Sequence, residues 1–211
     1  MTSAKFLCLT VITLAVAIGA LVSFTGVVGA QANPVTILMR DACDPFTFNN
    51  ALGPGHCIGD PLTAPVHPTT PFALFIEELT QDRIAGAWRF NPFLNASGGT
   101  FQLVTLNLTA GQQTIIQNVG GELHTFTRVK EFGGGQKPRL NILSGNPIPA
   151  PECALGLPEN DTNVIVEAGA VPQAGPTAGT SALPEQVTNW QCCIHPWMRL
   201  RVAVNLSLIH I

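Results

Sequence analysis

Residues 190–198 read Trp190-Gln191-Cys192-Cys193-Ile194-His195-Pro196-Trp197-Met198, placing a thiol, an imidazole and a thioether within seven residues. These soft and borderline donors suit copper better than calcium or magnesium. Cys192 and His195 have Cys-x-x-His spacing, and Met198 follows three residues later behind Pro196. The proline fixes one backbone dihedral and pre-sets the loop. From Arg199 to Leu206 polar or small residues alternate with apolar ones, the pattern of a half-buried strand. Three candidate ligands thus sit on a stiff turn that feeds a strand.

A further nitrogen ligand must come from upstream, and His124 is the best placed. The apolar run Thr114 to Ile116 leads to Gly120-Gly121, and a second extended segment opens around His124. By itself a histidine beside Gly-Gly is an ordinary polar turn residue. Together with the C-terminal loop it completes His₂Cys plus a thioether, the trigonal set with a weak axial Met found in blue-copper electron-transfer sites. On these residues the chain resembles the cupredoxins, with a Cys-x-x-His-Pro-x-Met-Arg loop most like that of the amicyanins. The resemblance covers mainly residues 86–206 and extends to Trp88-Arg89-Phe90-Asn91-Pro92 and to the Asn118-x₅-His124 spacing.

It implies His124, Cys192 and His195 as equatorial ligands and Met198 as the axial ligand of one type 1 copper ion. It also implies a Greek-key β-sandwich that passes single electrons between redox partners. Two positions depart from the family. Thr125 replaces the Asn that often follows the first histidine and donates toward the thiolate, and the Thr hydroxyl is expected to substitute. Leu200 stands where Gly is common. Both bear on the reduction potential, which the surroundings of the thiolate tune.

The rest of the chain must position these groups. Its 211 residues are 46% hydrophobic and 11% charged, with 17 Pro and 20 Gly, which fits a turn-rich globular domain. No basic block points to nucleic acid. Lys5 is the only charge before Arg40, and Phe6 to Val28 is almost wholly apolar. Residues 1–30 therefore read as a signal peptide, with small-residue cleavage sites after Ala30 or Ala32, and predict an exported protein, periplasmic or extracellular. The apolar run also meets the length of a membrane span, so an uncleaved N-terminal anchor is the alternative, and the membrane is a partner only in that case. Cleavage removes one Lys and no acid, taking the net charge from −3 to −4.

Without Cys8 the chain keeps Cys43, Cys57, Cys153, Cys192 and Cys193. An odd number in an oxidising compartment leaves one thiol over. Two disulfides and one copper thiolate use all five. Cys43 and Cys57 bracket Asn50-Ala51-Leu52-Gly53-Pro54-Gly55 and are natural partners. Neighbouring residues of a strand point to opposite faces, so Cys192 and Cys193 do not share one site. Only Cys192 has the spacing to His195 and Met198, which leaves Cys193 for Cys153. Other pairings, including Cys192 with Cys193, stay open, because spacing does not fix connectivity.

Residues 31–85 read as an extension carrying the disulfide loop, and 86–211 as the copper-binding domain. In the extension Val35–Met39 predicts a strand and Pro61–Pro71 a loop. Thr70 predicts a helix cap with Pro71 at the first position, and Phe72, Phe75, Ile76 and Leu79 form one face of a single short helix ending near Asp82. Strands are expected at 87–90, 101–108, 114–118, 123–130 and 162–167, with a long Pro/Gly-rich excursion over 136–184. Short strands with such turns predict an all-β sandwich. Trp190 and Trp197 are expected as apolar cover of the site, with Trp197 on an exposed docking face as the other option. His56, His67 and His210 read as solvated.

A mononuclear copper electron carrier with a redox partner protein is the leading expectation. Copper delivery or storage uses the same ligands. A disulfide-stapled β-sandwich for interaction, with no metal, is the third class. An enzyme is not expected, since the chain has no His-x-His pairs and a four-ligand site leaves no open position for substrate.

Overall fold

The computed structural model describes residues 33–59, 69–91, 103–156 and 158–205. The signal or anchor segment at 1–30, most of the Pro61–Pro71 loop, residues 101–102, His67, His210 and the terminal Ser207–Ile211 lie outside the described residues. Nine strands are described: β1 (Val35–Arg40), β2 (Arg89–Asn91), β3 (Thr105–Thr109), β4 (Gln113–Asn118), β5 (His124–Val129), β6 (Asn163–Val166), β7 (Gln173–Thr177), β8 (Val187–Gln191) and β9 (Arg199–Asn205). The helices are α1 (Pro45–Leu52), α2 (Phe72–Asp82) and α3 (Pro138–Leu143), with a 3₁₀ turn at Pro151–Cys153.

The strands form two mixed sheets, ordered β2-β1-β4-β7 and β3-β9-β8-β5-β6. Each sheet contains one parallel pair, β1 with β4 and β3 with β9. Period-two alternation sends Ile37, Met39 and Ile116 from one sheet into the same apolar core as Leu106, Leu108, Phe126, Trp190, Leu200 and Val202 from the other. Phe126 stacks on Trp190 at 4.3 Å, and Phe90 meets Phe126 edge-on at 5.5 Å. A mostly β chain with two sheets sharing one core is consistent with a β-sandwich.

Several expectations change. The segment preceding residue 86 holds two helices rather than one, and β1 is an interior strand hydrogen-bonded to both β2 and β4. The additional helix, α1, begins at an Asp-Pro signal: Asp44 caps it by accepting from the Thr47 N–H at 3.0 Å, and Pro45 occupies the first turn. The predicted cap of α2 is displaced by one residue. Pro71 caps it without a side-chain bond, Thr70 bridges to Cys43, and the Phe72 N–H is satisfied at 3.0 Å by the Thr47 hydroxyl of α1. Tertiary packing thus replaces the local cap. Within the excursion, α3 and β7 carry too weak a periodicity to be read from sequence.

The disulfides are Cys43–Cys57, which closes over α1, and Cys153–Cys193, which ties the 3₁₀ turn to the loop after β8. Cys192 remains as a buried free thiol. Among the described residues no helix is long and apolar enough to cross a membrane.

Candidate metal centre

Cys192 leaves β8 and opens a closed loop. Its N–H donates to the Met198 carbonyl at 3.0 Å, and the Met198 N–H donates to the His195 carbonyl at 2.9 Å. β9 begins at the next residue, Arg199, whose guanidinium donates to the Gly133 carbonyl and to Asn146 Oδ1 at 2.6 Å and lies over the Phe132 ring. The loop is therefore fastened at both ends. The close approach of Gly135 to it requires glycine, since a Cβ there would overlap the Cys193 carbonyl.

His124 heads β5 on the opposite side. Its turn is stapled by Asn118, whose side-chain amide donates to the Glu122 and Val166 carbonyls and whose oxygen accepts from the Gly120 N–H. Asp41, one residue past β1, reaches into this turn. Its carboxylate accepts from the backbone N–H groups of Cys43, Gly121 and Glu122 and contacts His124 Nε2 at 3.0 Å. Gly120 makes room for it, because a Cβ there would overlap that carboxylate.

The two imidazoles and the thiol converge. Cys192 Sγ lies 3.7 Å from His124 Nδ1 and 3.8 Å from His195 Nδ1, and the two Nδ1 atoms are 3.2 Å apart. All three side chains are buried, as is Met198, and His195 is only 2% exposed. The triangle of donor atoms has a point about 2.1 Å from every corner, a distance that first-row metals take to imidazole nitrogen and slightly short of that to thiolate sulfur. Two backbone N–H groups also aim at the sulfur, from Thr125 at 3.4 Å and His195 at 3.5 Å. The bond expected from the Thr125 hydroxyl thus comes from its backbone. The hydroxyl instead accepts from the Cys193 N–H at 2.8 Å and pairs with Thr127.

Each imidazole turns its Nδ1 toward the cluster and its Nε2 toward a carboxylate: His124 toward Asp41, and His195 toward Glu122 at 3.5 Å. Carboxylates behind ligating histidines fix tautomer and ring orientation and raise basicity. Glu122 also accepts from the Trp88 indole and meets His56 Nε2 at 3.4 Å. Neither carboxylate stands out in the sequence. Asp41 is 83 residues from His124, and only the proximity of Glu122 to His124 in the chain marks it. His56, expected as solvated, is 38% exposed and rests against Glu122.

Electrostatics follow from burial and pairing. Burial works against an imidazolium at His124, but the hydrogen bonds and charges of Asp41 and Cys192 outweigh it and raise its pKa to about 10. At His195 the same opposition of burial is overcome by Cys192 and Glu122, and its pKa also rises. Burial disfavours a thiolate at Cys192, yet the two imidazoles hold its pKa well below the ordinary thiol range. Glu122 is likewise kept below the usual carboxylate range, with bonds from His195 and His56 overriding its burial. These pairings favour a thiolate beside a protonated imidazole when no metal is bound, and a cation held there would displace protons.

A layer of rings covers the site. Trp197 meets His195 at 5.5 Å and donates to the Ala85 carbonyl at 3.2 Å, while Phe75 packs on Trp88 at 4.5 Å and on Trp197 at 5.9 Å. Trp197 is buried and so is cover rather than an exposed face, and Trp190 points into the core between the sheets. A second group of side chains, Asp41, Cys43 and Glu122, also lies close together. Its sulfur is committed to a disulfide and offers no thiolate. No family model matches the chain, and no curated protein or solved structure matches it either.

Proposed function

We propose that the chain is an exported mononuclear type 1 copper protein, a cupredoxin-like Greek-key sandwich that transfers single electrons between redox partners. The observation that carries this reading is the triangle of His124 Nδ1, His195 Nδ1 and Cys192 Sγ, with edges of 3.2 to 3.8 Å. A thiolate and two imidazoles, with a thioether in the same closed loop, are the donor chemistry of blue copper. Bound copper would supply a one-electron Cu(II)/Cu(I) couple. His124 and His195 would hold it through Nδ1 and Cys192 through its thiolate, with Met198 as the weak fourth donor.

The protein's own residues favour that use in three ways. Asp41 and Glu122 lock the two imidazole rings, so the donors need not move when the charge at the site changes. The Thr125 and His195 N–H groups hold the sulfur as a thiolate. The rings of Phe75, Trp88 and Trp197 cover one side of the site, which argues against ready exchange of a metal with a delivery partner. An electron entering through His195 from that side crosses the rings, since His195 is only 2% exposed.

A visible spectrum of the purified chain after addition of Cu(II), before and after ascorbate, tests the reading. An intense thiolate-to-copper band that bleaches on reduction is expected. Folded protein with both disulfides intact and no such band would reject it in favour of a metal-free interaction module.

A further inference from the structure

A cavity of about 210 Å³ opens to the surface beside His195 and Glu122. Its walls are Phe48 of α1, Phe72 and Phe75 of α2, and Leu140 of α3. Phe48 and Phe72 already meet edge to face at 5.2 Å, the arrangement that aromatic rings prefer and that a further ring can join. An apolar cavity of roughly 150 Å³ admits benzene, so this one is sized for a single ring bearing a small substituent.

The polar groups are arranged unequally. Glu122, at the floor, already faces the Trp88 indole, His195 and His56. It is a poor partner for a guest, and its charge repels an anion from the inner end. Lys137 and Arg139 line the cavity from the first residues of α3; both are exposed, and neither forms an ion pair among the described residues. The charge balance therefore favours an apolar end directed inward and a negative end at these cations.

We propose that this cavity binds a single-ring aromatic carboxylate, with the ring among Phe72, Ile76 and Leu140, backed by the buried Phe48 and Phe75, and the carboxylate on Lys137 and Arg139. The site does not depend on copper. It lies against His195, so occupancy also reports to the metal centre.

Benzoate titrated into the metal-free full chain tests this, followed by NMR shifts and by calorimetry. The expected result is saturable one-to-one binding with shifts centred on Phe48, Leu140 and Ile194. Lys137→Gln and Arg139→Gln each weaken it about threefold, the scale of an exposed ion pair. Leu140→Trp, which fills the cavity, removes it. Benzyl alcohol, of similar shape without the charge, binds more weakly. Absence of saturation overturns the proposal, as does benzyl alcohol binding as well as benzoate with no response to either charge variant. Because no metal is present, these outcomes are independent of whether the chain later turns blue.

Discussion

Replacing Asp41 by Asn changes no volume and removes one charge, which isolates the role of the buried carboxylate. Asp41 Oδ1 accepts from Cys43 N at 3.2 Å and Gly121 N at 2.9 Å, and Oδ2 accepts from Glu122 N at 3.0 Å and faces His124 Nε2 at 3.0 Å. An amide keeps one oxygen. Turned one way, its NH₂ faces the Cys43 and Gly121 N–H groups. Turned the other, it faces the Glu122 N–H and, while His124 carries a proton on Nε2, that ring as well. Either way two bonds to a charged group are lost and two donors are left buried. At about 1.5–3 kcal/mol for each such bond, the variant loses roughly 3–6 kcal/mol of stability. That is a large share of the roughly 5–15 kcal/mol of a folded domain. The metal site suffers as well, because His124 loses the partner that fixes its tautomer, and copper affinity falls about 10–100-fold. Urea unfolding of the metal-free protein and competition against a chelator read the two effects, with exposed Asp82→Asn as the silent control. An Asp41→Asn protein with the parent's unfolding midpoint and copper affinity would refute the role given to the carboxylate behind His124.

Other expectations test the rest of the site. Cys192→Ser abolishes the blue band, whereas Cys193→Ser keeps it while opening a disulfide of sequence separation 40, at a cost of about 4 kcal/mol by chain entropy. Equal loss of colour in both, with folding intact, refutes the ligand assignment. Met198→Gln places a harder oxygen donor near the copper, favours Cu(II), and lowers the potential by about 60 mV for each tenfold change in preference, measured by redox titration. Metal-free stability is expected to peak near pH 6.5. His124, raised from 6.5 to about 10, contributes fully below 6.5, and that contribution is lost as pH rises toward 10. His195 shifts in the same direction. Cys192, lowered from 9.0, opposes them, but one thiolate does not offset two imidazoles. Glu122, held below its ordinary 4.5, makes stability fall again on the acid side. A midpoint that climbs steadily from pH 6.5 to 9 goes against this balance.

The donor set was legible because it depends on residue type and short spacing. Cys192, His195 and Met198 sit in one loop, and β9 behind them alternates cleanly between polar and apolar. His124 required only the expectation that a second imidazole must come from another strand. The strands β1, β4, β5 and β6 were legible from short runs rich in β-branched and aromatic residues, with Gly-containing turns beside β4 and β5. What escaped is long-range and polar. Nothing near Asp41 indicates that it will stand behind an imidazole 83 residues away, because β1 pairs with β4 in parallel and no local pattern announces that partner. The helix α1 is masked by the Gly53-Pro54-Gly55 turn that follows it inside the disulfide loop, although Asp44-Pro45 is a start signal. The lid over His195 was missed for a similar reason: Phe75 on α2 reads as one member of an amphipathic face, and the sequence does not say that this face covers the site.

The two parallel pairings bear on the order in which the molecule is made. β1, the first described strand, can meet β2 but becomes an interior strand only once β4 exists, and β3 waits for β9, the last described one. Contacts so distant along the chain are slow to close. The groups of the site follow the same order: Asp41 comes just after β1, His124 at the head of β5, and Cys192, His195 and Met198 only with the turn between β8 and β9. Until β8 and β9 are in place, the thiolate and one imidazole are missing from the triangle. The donor triangle therefore closes late in folding, and a metal that needs all three groups would bind only after both sheets have formed.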